Sequence, residues 1–213
     1  MSRPTEVAYQ FIKKRIMEGE YKPSQKLIES ELSEVIGVSR NTVKKALLML
    51  EQENLVCIEA NKGATIKSFS LEEIINYLEI RETLEGLIAR TAATNMTEER
   101  LAMLEDIVEQ MKSHLENHRF DEYSNCNQAF HAIIYEASTN QQAVEMVNKI
   151  KTQLKRLQIK TILVPGRTQE SLKEHQKILS AMQSHDEKWA EDALKHHVAQ
   201  VRKAIADNYA FLA

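Results

Sequence analysis

Three of the seven histidines stand at positions where their rings could meet. His131 continues an apolar stripe with Phe130 and Ile134. His175 falls on Leu172, Leu179 and Met182, and His197 falls on Ala190, Leu194, Val201 and Ile205. At about 100° per residue, each stripe faces the inside of a helical bundle. A buried imidazole costs free energy unless its nitrogens are satisfied. Three that converge suit one shared divalent cation of the zinc, nickel or manganese class. Asn127 lies four residues before His131, one turn away on the same face. Each histidine is also readable singly as a hydrogen-bonded core residue, and spacing does not decide whether the three meet. His114, His118, His185 and His196 fall at helix edges or near caps and read as surface residues.

A second constellation is cationic and close to the N-terminus. Ser39-Arg-Asn-Thr-Val-Lys-Lys45 opens a helix expected over Arg40–Glu51, with Ser39 as its N-cap. A shorter helix, Glu29–Ile36, precedes it, and Gly37 fits the left-handed position that closes it. Leu32, Val35, Ile36, Val43, Ala46, Leu47 and Leu50 supply the apolar faces of the pair. Two strands follow, Leu55–Ile58 and Ala64–Lys67, around a turn at Asn61-Lys62-Gly63. Two short helices and a β-hairpin make the winged helix-turn-helix pattern. The second helix fits a major groove about 12 Å wide, with its first residues at the base edges. Arg40 is then a bidentate donor to guanine. Ser39, Asn41, Thr42, Lys44 and Lys45 stand beside it, four of them suited to phosphate, and Lys62 and Gly63 at the wing tip approach the minor groove or the backbone. A small helical bundle with a charged surface is the bland alternative.

The remaining elements frame these two groups. A first helix over Thr5–Glu18 shows a stripe of Val7, Ala8, Phe11, Ile12 and Arg15/Ile16. From Ser70 onward six helices are expected: Ser70 to about Ala93, Thr97 to His118, Phe120 to Ala137, Asn140 to Pro165, Thr168 to Ser184, and one opened by Ser184-His-Asp-Glu187. The fold class is mainly α. It divides into a winged helix-turn-helix domain at residues 1–69 and an all-helical domain at 70–213, with almost no linker.

Composition supports this division. Residues 1–69 hold 11 Lys+Arg and 9 Asp+Glu, a net of +2; the rest hold 17 and 22, a net of −5. A basic reader on an acidic body is compatible with DNA. Hydrophobic residues at 43% allow a packed core, and no apolar run is long enough for a membrane span. The expected location is cytoplasmic, with Cys57 and Cys126 reduced.

The stretch Gly19-Glu-Tyr-Lys-Pro-Ser-Gln-Lys-Leu-Ile-Glu through Gly37-Val-Ser-Arg-Asn-Thr-Val-Lys-Lys-Ala-Leu48, with Leu50, Leu55-Val56 and Gly63, resembles the GntR family of bacterial regulators. Ser24 stands where the family usually has Gly, Thr42 where Pro is frequent, and Lys44-Lys45 where Arg-Glu is usual. The helical half resembles the FCD effector domain of the FadR subfamily, in its six-helix, VanR-like form. The marks are Arg81-Glu-Thr-Leu-Glu85, Asn127-Gln-Ala-Phe-His131, Glu174-His175-Gln-Lys-Ile178 and Ala193-Leu-Lys-His-His197. This resemblance implies a divalent metal held by Asn127, His131, His175 and His197, with Asn127 replacing the family's Asp and bringing no charge. It also implies that residues 70–213 are an effector-binding and dimerisation domain, with a pocket for a small carboxylate effector. Arg81 could anchor that acid, or pair with Glu85 as a helix-surface ion pair; Tyr77 and Tyr135 could line the pocket or be plain core.

The expected protein is a homodimeric transcriptional regulator, a repressor by preference, on a palindromic operator in double-stranded DNA. Two other readings compete: a metal-dependent enzyme, and a regulator whose metal is purely structural. Against the enzyme, no carboxylate shares a histidine stripe as an obvious general base, and Glu174 points about 100° away from His175 on an ideal helix.

Overall fold

The computed structural model describes residues 3–212 apart from Asn61, and for residues 156–160 the backbone alone. The chain divides into two compact units, Met1–Ser70 and Leu71–Ala213.

The first unit contains α1 (Arg3–Met17), β1 (Lys26–Leu27), α2 (Glu29–Ile36), α3 (Arg40–Gln52), β2 (Val56–Glu59) and β3 (Gly63–Ile66). Ala8, Tyr9, Ile12 and Ile16 of α1 pack with Leu32, Val43, Ala46, Leu47 and Leu50 into one core. The stripe on α1 is thus rotated from the expected one. Tyr9 is buried and Val7 is half exposed, because the Tyr9 hydroxyl has a partner at the end of α3. It donates to Glu53, and Lys13 Nζ donates to the other Glu53 oxygen at 2.7 Å. Val35 also departs from expectation: at 64% exposure it lies outside the helix-pair core.

Gly37 closes α2 in the left-handed conformation, and the Ser39 hydroxyl accepts from Thr42 N at 3.2 Å to open α3. The hairpin pairs antiparallel, with Glu59 opposite Gly63 and Val56 opposite Ile66. Gly63 has φ +91°, a conformation that disfavours a side chain. The two-residue β1 adds to the sheet beside β3. No local periodicity could announce it, since its pairing is set by a strand about 40 residues on.

The second unit contains α4 (Leu71–Ala93), α5 (Glu98–Glu116), α6 (Phe120–Ala137), α7 (Gln141–Lys160), a 3₁₀ turn at Thr161–Leu163, α8 (Arg167–Gln183) and α9 (Glu187–Leu212). Ile88, Leu104, Phe130, Ile134, Val147, Ile178, Met182 and Leu194 form the centre of its core. Thr97 and Asn140 cap α5 and α7 as their types suggest. The cap of α9 is Asp186, whose carboxylate accepts from Trp189 N at 2.9 Å. Ser184 was the expected cap, but its hydroxyl donates back to Ala181 O, and His185 at φ +52° turns the chain between them. His118, at φ +55°, likewise follows the end of α5. The expected fourth helix stops short of Pro165, with the 3₁₀ turn absorbing the difference.

Candidate functional site

The three stripe histidines meet. α6 carries His131, α8 carries His175 and α9 carries His197, and all three are buried. Ring centroids lie 5.5 Å apart for His131–His175, 5.3 Å for His131–His197 and 4.7 Å for His175–His197. One nitrogen from each lies within 4.8 Å of the other two.

The hydrogen bonds behind these rings decide which nitrogens face each other. His175 Nδ1 donates to the Ser171 carbonyl at 2.6 Å, and His197 Nδ1 donates to Glu174 Oε2 at 2.7 Å. His131 Nδ1 lies 3.4 Å from Glu85 Oε2, close enough for an ion pair but without a hydrogen bond. The bonds of His175 and His197 fix the tautomer and orientation of those two rings and leave their opposite nitrogens as lone-pair donors. Both ring nitrogens of His131, Nε2 of His175, Oδ1 of Asn127 and Oε2 of Glu85 are buried without hydrogen-bond partners. Buried polar atoms are normally satisfied, so these orphans are the observation that calls for a ligand. Imidazole nitrogens with an amide oxygen suit a borderline divalent cation.

Burial drives His175 and His197 well below the ordinary histidine range, and the charges of neighbouring histidines deepen the fall. Burial lowers His131 too, although Glu85 opposes it. All three are therefore neutral near pH 7, the form that ligates metal.

Two carboxylates stand behind the rings, and each is matched to an arginine. Glu174 takes a two-pronged bond from Arg167, at 3.1 and 2.8 Å. Glu85 takes Arg81 Nε, and the pair is buried. The Arg81–Glu85 pair expected at the helix surface thus exists, but in the interior. Burial pushes the Glu85 carboxyl up, yet Arg81 and His131 outweigh it and hold it well below the usual range. Neither carboxylate's role at the rings was foreseen. Glu174 does point away from His175, and the side it points to is α9, where it meets His197.

A cavity of about 370 Å³ opens beside this cluster. Asn127, His131 and His197 reach it, and His175 lies behind them. Its charged lining is Arg81, Lys151, Lys155 and Arg167; no Asp or Glu lines it among the described residues. Burial pulls the Lys151 ammonium down to about 8, against the opposing field of Glu85. Its Nζ sits 3.4 Å from the Tyr135 hydroxyl. Tyr135 is buried behind the lining and does not form it; Tyr77 is half-buried and also lies outside the lining. Of the other histidines, His118, His185 and His196 are exposed and His114 is half-buried.

In the first unit, Ser39, Arg40, Asn41, Lys44 and Lys45 are exposed at the start of α3, and Thr42 is half-buried. Val43, Ala46 and Leu47 hold the opposite face in the core. Among the described residues, Arg40, Lys44 and Lys45 make no ion pair. The Ser39 and Thr42 hydroxyls bond each other at 2.8 Å, so part of their capacity is used in the cap. At the wing, Lys62 is exposed but bonds Glu59 at 2.6 Å, and Gly63 is exposed beside it; Asn61 lies outside the described residues.

Comparison with known proteins agrees with both halves. Residues 4–66 match the gntR family of bacterial regulatory proteins, and residues 76–200 match the FCD domain. The chain is 24% identical to the HTH-type transcriptional repressor RspR of Escherichia coli, over 92% of this chain and 86% of that protein. It is 28% identical to the HTH-type transcriptional regulator LutR of Bacillus subtilis, over 90% of this chain and 96% of that one. Its fold matches the solved structure of E. coli McbR/YncC with a TM-score of 0.78 at 22% identity, covering 98% of this chain and all of that one. With an N-terminal winged helix-turn-helix, a C-terminal FCD domain and regulators, not enzymes, as relatives, the chain belongs to the gntR family of bacterial transcriptional regulators and fits its FadR-like subfamily.

Proposed function

We propose that the chain is an operator-binding repressor that works as a homodimer and responds to a small organic acid in its helical domain. The observation that carries the reading is the set of unpartnered donors beside a cavity with a purely cationic charged lining. Asn127, His131, His175 and His197 would hold a divalent cation. When bound, that ion supplies positive charge and a coordination position that a carboxylate can complete. Lys151 and Lys155 would attract the anion. Arg81 orients Glu85 behind His131, and its place in the lining also lets it meet the acid.

In the first unit, Arg40 would read a guanine edge, with Asn41 beside it. Ser39, Thr42, Lys44 and Lys45 would hold phosphates, and Lys62 and Gly63 would follow the groove next to the wing. A dimer sets two such readers on the half-sites of a palindrome. The acid alters operator affinity by favouring one packing of the helical domain over another.

Elemental analysis of the purified protein, with mass spectrometry of any acid that copurifies, tests the reading. Where an acid copurifies, about one metal ion per chain is expected with it, and His131→Ala should lose that ion while the variant still binds operator. Full metal content in that variant would sink the ligand assignment. A metal that proves structural would show itself differently: chelation would unfold the helical domain, and no acid would change operator binding.

A further inference from the structure

We propose that cation and anion strengthen each other's binding at this site, and that Asn127 is the residue that makes the cation depend on the anion. The inference rests on the reading of Asn127, His131, His175 and His197 as cation ligands. Its basis is the charge around them.

Imidazoles ligate as neutral donors, and the Asn127 amide brings an oxygen without a charge. None of the four donors neutralises a divalent ion. The two nearest carboxylates are already matched. Glu85 is held by Arg81, and Glu174 by both prongs of Arg167 and by His197. Among the described residues around the cavity, four cations (Arg81, Lys151, Lys155 and Arg167) stand against these two carboxylates, an excess of two positive charges. A divalent ion would raise the excess to four, inside a buried site where charges are weakly screened.

Such a cation is opposed until a negative group arrives. The anion gains in turn, because it meets the ion as well as Lys151 and Lys155. Linkage requires the two gains to be equal. The Asn127 Oδ1 atom, buried and unpartnered, can accept the ion by its lone pair but cannot hold it by charge. A carboxylate at the same position would. Metal occupancy in this chain therefore reports the anion, and the ion acts as a second effector instead of a resident part of the fold.

Calorimetric titration of the full chain with Zn²⁺ tests this, in a carboxylate-free buffer and again in millimolar succinate, corrected for zinc–succinate binding. Succinate should raise the wild-type zinc affinity about tenfold or more, within the usual range of coupling between sites. Asn127→Asp should bind zinc about tenfold tighter than wild type without succinate, with its own succinate response falling below about threefold. Equal wild-type affinities in the two buffers would overturn the coupling and leave the metal site standing. An undiminished succinate response in Asn127→Asp would overturn the role given to Asn127. Zinc binding that is absent from both proteins in both buffers would instead remove the metal reading underneath. The wild-type pair of titrations decides the first point even if the variant folds poorly.

Discussion

The two units handle charge in opposite ways. The reader keeps the cations proposed to meet DNA outside: Arg40, Lys44 and Lys45 are exposed and free of ion pairs among the described residues. The bundle takes its charges inside and pairs them, Arg81 with Glu85 and Arg167 with Glu174, yet leaves ring nitrogens and an amide oxygen unpartnered among them. An exposed cation is stable without a partner, so a surface can wait for DNA at little cost. A buried donor without a partner is unstable unless something visits it. The reader's purpose therefore shows on its surface, and the bundle's shows in what its interior lacks.

The largest test of this contrast is Glu85→Gln. It leaves the buried Arg81 guanidinium without its counter-charge, and breaking one side of a buried pair destabilises by about 3–5 kcal/mol. Denaturant melts should show that loss in the helical unit's transition. A change below about 1 kcal/mol would mean the pair is solvated and that the inside-versus-outside contrast is overstated.

Arg40→Ala comes next. No partner among the described residues is lost, so stability should be unchanged within about 0.5 kcal/mol. Operator binding should weaken by about 1–3 kcal/mol, with relaxed preference at one base pair. Lys44→Ala should weaken all sequences alike and flatten the salt dependence. Quantitative operator titrations separate the two, and unchanged affinity in Arg40→Ala would end its assignment.

The third test uses pH. Lys151, at about 8, is faced by Arg81 and Glu85 of α4 and Tyr135 of α6. Arg81 stays charged and Glu85 stays ionised, while burial holds Tyr135 well above its ordinary value and so neutral. Of these four groups, Lys151 is the one that titrates between pH 7 and 9. Succinate affinity should fall about tenfold over that range, and Lys151→Arg should abolish the fall. The stability effect has the opposite sign. The folded value lies below the ordinary 10.5, so the unfolded chain binds more protons between about 8 and 10.5, and this group raises stability as pH climbs through that window. An affinity flat from pH 7 to 9 would remove Lys151 from the anion site.

How far the sequence could be read follows the same division. The reader was legible almost to its ends, because Gly37, Ser39 and the stripe of α3 are local signals. The inward direction of the three histidines was equally legible from spacing. Their convergence was not, since three helices far apart in sequence must pack before the rings meet. Glu174 marks the limit most clearly. Its 100° offset from His175 was correctly read as excluding it from that face, but nothing local said that His197 and Arg167 would occupy the side it points to. Tyr9 is the counterpart in the reader, drawn into the core by Glu53 more than 40 residues away.

Position 24 allows a smaller test, in the reader alone. Ser24, set against Gly in the family pattern that the sequence resembles, has a φ of +61°, in the left-handed region. For a residue with a Cβ that conformation costs about 1–2 kcal/mol. Ser24 recovers part of it: its hydroxyl bonds Ser68 Oγ at 3.0 Å and its N–H donates to Ile66 O at 3.0 Å. Glycine would relieve the strain and keep the backbone bond. It would lose the exposed hydroxyl bond and add freedom to the unfolded chain, worth about 0.4–1 kcal/mol against it. The two terms nearly offset, and Ser24→Gly should stabilise the reader by no more than about 1 kcal/mol. Denaturant midpoints of the reader's transition measure this directly. A loss above about 1 kcal/mol would mean that the Ser24–Ser68 bond, and not the backbone conformation, governs the position. Operator affinity should stay at the wild-type value in either case, because Ser24 precedes α2 and belongs to none of the residues given a DNA contact.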